Sequence, residues 1–309
     1  MPPVRTDKVV AIACGDIHLS LKPPIARAGE PDWLEAQARP LTELKELQRK
    51  HNAPILCAGD IFDRWNSTAE LINWAFWHLP HLYAIPGQHD LPLHRLDLIE
   101  KSAYKTLIRG DIIINIQPRE AVETDCTIVR AFPWGIPLTP PHKEDYSKTR
   151  VKIALIHQYI WAKGSSYPGA PEEAYITHLQ HTDGWDVIVA GDNHKGFLAQ
   201  SYVGDHPHIF NCGTLMRRKS DEINYKPQVG LIYSDGHVEP HYLDTSADII
   251  TETAAAREVG EDMELREVLE ELSKLQDNRL DFPEAMRHVL EERNPSPAVR
   301  TLILEAMGA

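Results

Sequence analysis

The amino-acid sequence predicts an α/β protein with a layered architecture. Apolar, β-branched runs of the kind found in buried strands recur along the first two thirds of the chain, and helix-like stretches separate them. Five short segments that carry Asp or His directly follow such runs. Ligands gather outside the carboxyl ends of the strands in open α/β sheets, so the same pattern predicts where a functional site lies.

The predicted strands are continuous apolar runs, a pattern typical of strands that are buried on both faces. They lie at residues 9–14, 54–58, 82–85, 112–116, 127–132, 153–156 and 187–190. Apolar residues near helical spacing predict helices over residues 32–50 and 68–78. Pro40 lies inside the first helix, and we expect it to break or kink that helix because proline lacks a backbone N–H.

The pattern changes near residue 197. From there to residue 243, strand follows strand with short turns, and the Ser-Asp-Gly sequence at 234–236 is a hairpin signal. This part is therefore predicted to form a second, largely antiparallel sheet packed on the first. Residues 246–309 are predicted to be helical with an apolar stripe, so we expect a main domain over 1–245 and a C-terminal helical region over 246–309.

Composition narrows the class of protein. The 309 residues are 42% apolar and 25% charged, as in an ordinary globular protein. The apolar run at 9–14 is too short for a signal peptide, and no run approaches the ~20 residues of a membrane span. The four cysteines form no Cys-x-x-Cys pair, which argues against a zinc–thiolate module and a disulfide framework. We therefore expect a protein of the reducing cytoplasm with no membrane partner.

The net charge of −13 argues against non-specific electrostatic binding of nucleic acid by the whole protein surface. The acidic residues are concentrated after residue 240, however, so the rest of the chain is closer to neutral. Bound divalent ions would offset more of the negative charge around a metal site. DNA therefore remains an acceptable substrate class.

The five polar segments predict a site for two metal ions. They lie at 15–18, 59–63, 87–90, 156–158 and 191–194. One Asp or His after a strand is usually a turn former or a helix cap, but five in order are not. A mixture of carboxylate, amide and imidazole suits ions such as Mn2+. Two such ions ~3.5–4 Å apart can share one carboxylate and act on an in-line phosphoryl displacement.

In order and composition these segments resemble the motifs of the calcineurin-like metallophosphoesterase superfamily, D-x-H, G-D-x-x-D, G-N-H-[DE], G/I-H and G-H-x-H. The resemblance covers about residues 9–240. It implies a four-layer α-β-β-α sandwich of two mixed sheets with a small C-terminal helical appendage. It also implies that a water activated between two divalent ions hydrolyses a phosphoester. Mn2+ is the expected metal, and Mg2+ is the alternative. Segments 58–63, 155–158 and 211–218 look most like SbcD-type DNA nuclease subunits.

The resemblance assigns the metal ligands motif by motif. Asp16 and His18 would bind the first ion, and His194 would complete that position. Asp60 would bridge both ions. His157 would bind the second ion.

Two further residues are assigned to proton transfer, and two depart from the family pattern. His89 would donate a proton to the leaving oxygen, and Asp90 would either orient its ring or serve only as a helix cap. Gln88 stands where the family has an Asn ligand of the second ion, and Asp192 stands where it has a His. Both changes fall on the second ion, so we expect either a modified site that favours Mn2+ or Mg2+ over Zn2+, or a weakened site that fills only with substrate.

Substrate contacts are assigned to three residues. Arg217 and Arg218 lie in a basic cluster that either meets nucleic-acid phosphate or forms a solvated turn. Tyr159 either stacks on an unpaired base or packs in the core.

The C-terminal region either packs on its own domain or docks on a partner, as SbcD-type proteins do on an SbcC-like ABC-type coiled-coil ATPase.

The sequence thus predicts a metal-dependent phosphodiesterase that cleaves DNA, as the nuclease subunit of an SbcCD-like exonuclease complex, with a homodimer as a further option. One alternative is a small-molecule phosphodiesterase or phosphomonoesterase of the same superfamily. The other is a non-catalytic interaction module with a degenerate second metal site, which the substitutions at Gln88 and Asp192 suggest.

Overall fold

Two six-stranded mixed sheets form the frame of the protein. The computed structural model describes residues 8–118, 120–145, 150–167, 169–199 and 207–250, together with Pro297, Arg300 and Thr301. The strands are, in chain order, β1 (Val9–Cys14), β2 (Ile55–Cys57), β3 (Leu82–Ala84), β4 (Ile113–Asn115), β5 (Ala121–Glu123), β6 (Thr127–Phe132), β7 (Val151–His157), β8 (Val187–Gly191), β9 (Phe197–Ala199), β10 (His208–Asn211), β11 (Gln228–Tyr233) and β12 (Val238–Tyr242). The α-helices are α1 (Trp33–His51), α2 (Ala69–His78) and α3 (Ala103–Arg109).

The first sheet has the strand order β12-β11-β1-β2-β3-β4. Strands β1 to β4 run parallel, and Cys14, Cys57 and Ala84 lie opposite one another at their ends. Strands β11 and β12 complete the sheet by antiparallel pairing next to β1. The carboxyl ends of β1, β2 and β3 are therefore level at one edge of the sheet.

The second sheet has the strand order β5-β6-β7-β8-β10-β9. The four inner strands run parallel, and the edge strands β5 and β9 are antiparallel to their neighbours. His157 at the end of β7 lies opposite Gly191 at the end of β8. This sheet therefore also presents level carboxyl ends at one edge.

Small and β-branched side chains fill the space between the sheets. Ala11 of the first sheet belongs to the same buried cluster as Val129 and Leu155 of the second. Alternate residues of the first sheet, such as Ile12 and Ile55, are buried on the opposite face together with residues of the α-helices. Burial on both faces explains why these strands read as continuous apolar runs. The stacked sheets confirm the predicted α/β sandwich.

Different elements cover the two outer faces. The three α-helices cover the first sheet, where Leu41 of α1 is fully buried. On the second sheet, Ile156 and Ile188 pack with Trp185 and with apolar residues around the short 3-10 helix Ile176–His178. Among the described residues, this fourth layer is thus built from 3-10 turns and loops.

Helix α1 lies within one residue of the predicted range 32–50 at each end. The Asp32 side chain accepts a hydrogen bond from the Glu35 N–H at 3.0 Å, and Asn52 ends the helix in the left-handed conformation with φ 47°. The helix runs through Pro40, so a break, one of the two outcomes expected at this residue, does not occur. Proline costs about 3 kcal/mol inside a helix. Here Pro40 is itself buried on the apolar face, and burial of that face offsets the cost.

The predicted antiparallel sheet over residues 197–243 is also wrong. Strands β9 and β10 finish the second sheet, with β10 parallel to β8, whereas β11 and β12 belong to the first sheet. The hairpin at 234–236 is confirmed, since Gly236 has a φ of 83° between β11 and β12. A run of short strands shows which neighbours can form a hairpin, but not which distant strand each one pairs with.

The described residues fall into two units. One contains both sheets and the three α-helices, and the other contains residues 23–29, 218–223 and the described residues from Ile249 onward. Beyond Ile250, the predicted C-terminal helical region lies outside the described residues except for Pro297, Arg300 and Thr301, which are helical. None of the described helices is both long and apolar enough to cross a membrane.

Candidate metal centre

The five polar segments meet where the carboxyl ends of the two sheets come together. Segments after β1, β2 and β3 come from the first sheet, and segments at the ends of β7 and β8 come from the second. The donor atoms of several of their side chains lie within 4.8 Å of one another. The residues that the strand ends bring to this place are Asp16, His18, Asp60, Gln88, His89, His157, Asp192 and His194.

The backbone of the site is strained at four residues. Asp16, His18, Asp60 and Asp192 have φ values of 47°, 50°, 53° and 82°, in the left-handed region that favours glycine. Each such residue costs of order 1–3 kcal/mol and persists only where the surroundings enforce it. Hydrogen bonds between the strand ends do so, since the Asp16 N–H donates to the Gly59 carbonyl at 3.0 Å and the His18 N–H to the Asp60 carbonyl at 2.9 Å.

Two glycines allow the ligands to approach closely. A Cβ atom on Gly59 would lie 2.4 Å from His157 Nδ1, and one on Gly87 would lie 2.1 Å from Asp60 Oδ1. Real Cβ atoms do not approach other atoms so closely. The glycine of each motif therefore makes room for a ligand from another strand.

The first donor group consists of Asp16, His18 and His194. The Nε2 atoms of the two histidines are 3.0 Å apart, so both rings point into the same space. Asp16 and His18 are buried, at 0% and 2% exposed. The structure thus brings together the three residues that the sequence assigned to the first ion.

The second donor group consists of Asp16, Asp60 and His157. Asp60 Oδ2 lies 3.7 Å from His18 Nε2 and 3.5 Å from His157 Nε2. Among the described residues, this fully buried oxygen has no donor closer than these two imidazole nitrogens. A buried carboxylate without close donors is costly, and bound cations would satisfy it. The residues present therefore fit divalent ions held by the two groups.

The charges of Asp60 and His157 determine each other's protonation state. Burial alone would raise the pKa of Asp60, but the nearby His157, together with His18 and His89, holds it below its ordinary value. Burial alone would lower the pKa of His157, but Asp60, followed by Asp16 and Asp192, raises it to about 10. In the protein alone, a carboxylate thus faces an imidazolium. A metal ion must displace the His157 proton to bind there.

The residues that depart from the family pattern contact each other. Gln88 Nε2 donates to Asp192 Oδ1 at 2.7 Å, and Gln88 Oε1 lies 2.5 Å from His157 Nε2. The Asp192 N–H donates to the Asp16 carboxylate at 3.1 Å. In the described part of the chain, no donor group contains Asp192. Gln88 thus lies against the nitrogen that the resemblance assigns to the second ion.

His89 lies at the open side of the site. Its ring is exposed and packs edge-on against the His18 ring, with the centroids 4.9 Å apart. Its Nδ1 lies 2.8 Å from the main-chain carbonyl oxygen of Asp63. The Asp63 carboxylate in turn lies 3.8 Å from His18 Nδ1, and His18, Asp63 and His89 form a third donor group. Asp63, the second Asp of the G-D-x-x-D segment, therefore contacts both histidines, and its place in that motif is the signal that marks it in the sequence.

Asp90 does not orient the His89 ring as expected. Its carboxylate is fully buried and accepts hydrogen bonds from the main-chain N–H groups of Ile61, Phe62 and Gly87 at 3.0 to 3.3 Å. Burial and the charge of Asp60 raise the pKa of Asp90 to about 7. Asp90 thus ties together the two loops that carry Asp60 and His89.

The expected substrate residues have other partners in the structure. Arg217 Nε donates to Asp248 Oδ2 at 3.0 Å, and the side chain is only 12% exposed, so this guanidinium forms an internal ion pair instead of a phosphate contact. Arg218 lies in the other unit, where its N–H donates to Glu222 at 2.5 Å. Tyr159 is half-buried, and its ring packs 5.1 Å from the ring of Tyr167.

One aromatic residue beside the metal centre was not singled out in the sequence. The Trp134 ring lies edge-on to the His157 ring, with the centroids 6.3 Å apart, and 6.4 Å from the His94 ring. Trp134 follows the end of β6, so it occupies a strand end where a ligand would otherwise be expected. That position after an apolar run was its only signal.

Comparison with known proteins identifies the family. The calcineurin-like phosphoesterase family matches residues 10–196, so the chain belongs to that family. The family and the donor groups together define a metal-dependent phosphoesterase, a metal-binding hydrolase. No curated protein matches the sequence significantly.

Two solved structures are similar at low identity. A metallophosphoesterase from Sphaerobacter thermophilus is 14% identical, with a TM-score of 0.34, and the match covers 81% of this chain and 93% of that one. GAP50, the anchor in the inner membrane complex of Plasmodium, is 13% identical, with a TM-score of 0.40, over 80% of this chain and 92% of that one. Membership of the family therefore rests on the sequence match and not on these structures.

Proposed function

We propose that this protein hydrolyses phosphodiester bonds of DNA with two divalent ions. The observation that carries the proposal is the pair of donor groups that share Asp16, with the Asp60 carboxylate between His18 and His157. Two ions bound there would activate a water and polarise the phosphoryl oxygens of an in-line displacement. Mn2+ is the expected ion and Mg2+ the alternative, since the donors combine imidazole with hard oxygen ligands.

His89 is the proton donor in this proposal. A phosphodiester releases an alkoxide, which must be protonated as it leaves. The contact between His89 Nδ1 and the Asp63 carbonyl oxygen fixes the ring and leaves Nε2 free to face the substrate on the exposed side. Proton transfer of this kind is typically worth about 10²–10⁴ in rate.

The assignment to DNA rests on the resemblance of segments 58–63, 155–158 and 211–218 to SbcD-type subunits. The last of these segments is fastened to the metal centre, because the Thr214 N–H donates to the His194 carbonyl at 3.0 Å and the Leu215 N–H to the Asp16 carbonyl at 3.2 Å. These hydrogen bonds would hold a substrate-binding loop in a fixed position beside the ligands of the first ion.

The proposed partner is an SbcC-like ABC-type coiled-coil ATPase that docks on the C-terminal helical region, with a homodimer as a further option. A chain with Walker A, a long heptad segment and Walker B should be encoded next to this one. We propose the cytoplasm as the location, and the four cysteines, all among the described residues, are free thiols.

Cleavage of linear DNA tests this function directly. The purified protein with Mn2+ should degrade linear duplex or single-stranded DNA, and a chelator should stop the reaction. On the same substrates Asp16→Ala should be inactive, and His89→Ala should be slower by about 10²–10³-fold. Activity confined to nucleotide-sized esters would instead identify a small-molecule phosphodiesterase or phosphomonoesterase of the same family.

The contact between Gln88 and Asp192 favours a second candidate, a non-catalytic interaction module. Both side chains are engaged with each other where the second ion would bind. Counting the ions by anomalous scattering distinguishes the two functions. Two ions in saturating Mn2+ support the nuclease, whereas one ion or none, with no hydrolysis of any ester, supports the interaction module.

A further inference from the structure

Two loops place an apolar and aromatic surface beside the metal centre. Residues 91–94 follow the Gln88-His89-Asp90 segment, and Trp134 follows β6. The Trp134 ring joins the first loop to the metal centre, since it lies edge-on to both His94 and the metal-site residue His157. The Trp134 N–H also donates to the Pro86 carbonyl at 3.3 Å. The surface is thus continuous with the place where the phosphoester would bind.

The first of these loops holds two consecutive residues in an unfavourable conformation. Leu93 and His94 have φ values of 52° and 56°, in the left-handed region. Leu91 is fully buried, and its N–H donates to the Gln88 carbonyl at 3.2 Å, while the His94 N–H donates to the Leu91 carbonyl at 3.0 Å. The loop is therefore fastened to the metal-site segment at its base.

This strain serves no packing purpose that the structure shows. Leu93 is 77% exposed and His94 is exposed as well, so the strained backbone presents an apolar side chain and a flat ring to solvent. Strained non-glycine residues that persist in a structure are found most often at active sites and ligand clamps. An exposed leucine and two rings beside a phosphoester site fit a flat, apolar-faced group that is attached to the phosphate.

We propose that Leu93, His94 and Trp134 form a stacking subsite for an unpaired nucleobase next to the phosphodiester that is cleaved. The inference rests on the proposed function, because the base must belong to the same substrate. Stacking is the expected mode, since none of the three side chains carries a permanent charge and every base offers a flat face to an aromatic ring. The subsite would thus hold the strand end in place without reading its sequence.

The affinities of two small ligands for the Mn2+-loaded protein separate the contribution of the base from that of the phosphate. Deoxyadenosine 5′-monophosphate carries both groups, and deoxyribose 5-phosphate carries the phosphate alone. In calorimetry we expect the wild type to bind the nucleotide at least about 10-fold more tightly than the sugar phosphate. Trp134→Ala should abolish most of this preference, and Trp134→Phe should keep much of it. Trp77→Ala, at a tryptophan that is 82% exposed on α2, is the matched control and should keep all of it.

A second variant separates stacking from folding, because Trp134 is half-buried and its removal could disturb His157. Leu93→Gly relieves the left-handed strain at an exposed position. We therefore expect an unchanged or higher melting temperature together with a several-fold loss of the preference for the nucleotide. A wild type that binds both ligands equally, or variants that weaken Mn2+ binding while the preference stays intact, would overturn the subsite.

A failure of the stacking subsite can be told apart from a failure of the proposed DNA nuclease activity. If the wild type cleaves DNA but shows no preference for the nucleotide, the stacking subsite is wrong and the nuclease stands. If it cleaves no DNA but prefers the nucleotide through Trp134, the subsite stands and the substrate is a smaller nucleotide ester.

Discussion

The two ion positions differ in what their side chains do before an ion binds. At the first position, the Nε2 atoms of His18 and His194 face each other across 3.0 Å. At the second, the Gln88 amide is bonded to both Asp192 and His157, at 2.7 and 2.5 Å. Filling the second position must break these contacts, whereas filling the first replaces one contact between two rings. We therefore expect the first ion to bind more tightly.

The donor atoms of the two positions differ as well. The first offers two imidazole nitrogens beside carboxylate oxygens, and the second offers one imidazole nitrogen with amide and carboxylate oxygens. Hard oxygen donors favour Mg2+ and Mn2+ over Zn2+. We therefore expect segments of this motif order to build two positions that differ in affinity and in metal preference.

The largest effect is expected from removal of the Asp60 carboxylate, which lies between His18 of the first donor group and His157 of the second. Asp60→Asn should lower the hydrolysis rate by about 10⁴-fold or more, because neither ion keeps its bridging anion. Steady-state kinetics together with metal counting checks this. Asp125→Asn, at an exposed carboxylate, is the matched control. If Asp60→Asn still binds two ions tightly, Asp60 is not the bridge.

Removal of His89 should affect the reaction without affecting either ion. We expect His89→Ala to lower kcat about 10²–10³-fold, and to lose less on an ester with an acidic leaving group that needs no proton. Kinetics on the two ester types, with Mn2+ titration in parallel, provides the measurement. An equal loss on both esters would mean that His89 does not donate the proton.

The pH dependence of metal binding should report on the second position. The pKa of His157 is about 10 in the protein alone, so the ring is protonated at neutral pH and must lose its proton to a bound ion. Affinity for the second ion should therefore rise with pH below that value, by about 10-fold per pH unit for one displaced proton. Calorimetry in buffers of different ionisation enthalpy should show the proton release. Affinity that does not change between pH 6 and 9 contradicts this protonation state.

The smallest effect is expected from shortening the side chain at Gln88. Gln88→Asn should withdraw the amide from His157 and Asp192, and the loss of these two contacts should tighten the second ion about 5-fold. The first ion should be unaffected. Mn2+ titration followed by calorimetry compares this variant with Gln48→Asn, a glutamine on α1 away from the site. Weaker binding of the second ion would show that the longer amide is a better ligand than Asn here.

Much of the fold was predictable because local patterns report burial directly. The runs at residues 9–14 and 127–132 became β1 and β6 with the same bounds, since strands buried on both faces must be apolar throughout. The helix predicted over residues 32–50 likewise became α1 (Trp33–His51). The pairing of β10 with β8 and of β11 with β1 was not predictable, because it depends on contacts between residues far apart in the chain.

The candidate site shows the same division. The order of the five segments predicted which residues could be ligands, and the structure gathers Asp16, His18, Asp60, His157 and His194 into two donor groups. Side chains whose role depends on a distant partner were misjudged. Asp90 is bonded to main-chain N–H groups, and Arg217 is paired with Asp248. Trp134 was overlooked because its importance lies in its distance to His157 and not in its neighbours in sequence.

The sequence by itself determined the α/β class, the family and the set of candidate ligands, because strand periodicity and motif spacing are properties of short segments. Only the tertiary structure decided that Gln88 and Asp192 contact each other at the second position, and that Asp63 contacts His89 and His18. These relations join different strands of the two sheets. Hydrogen bonds and electrostatic interactions act over a few ångströms, so which residues they join is set by the folded chain.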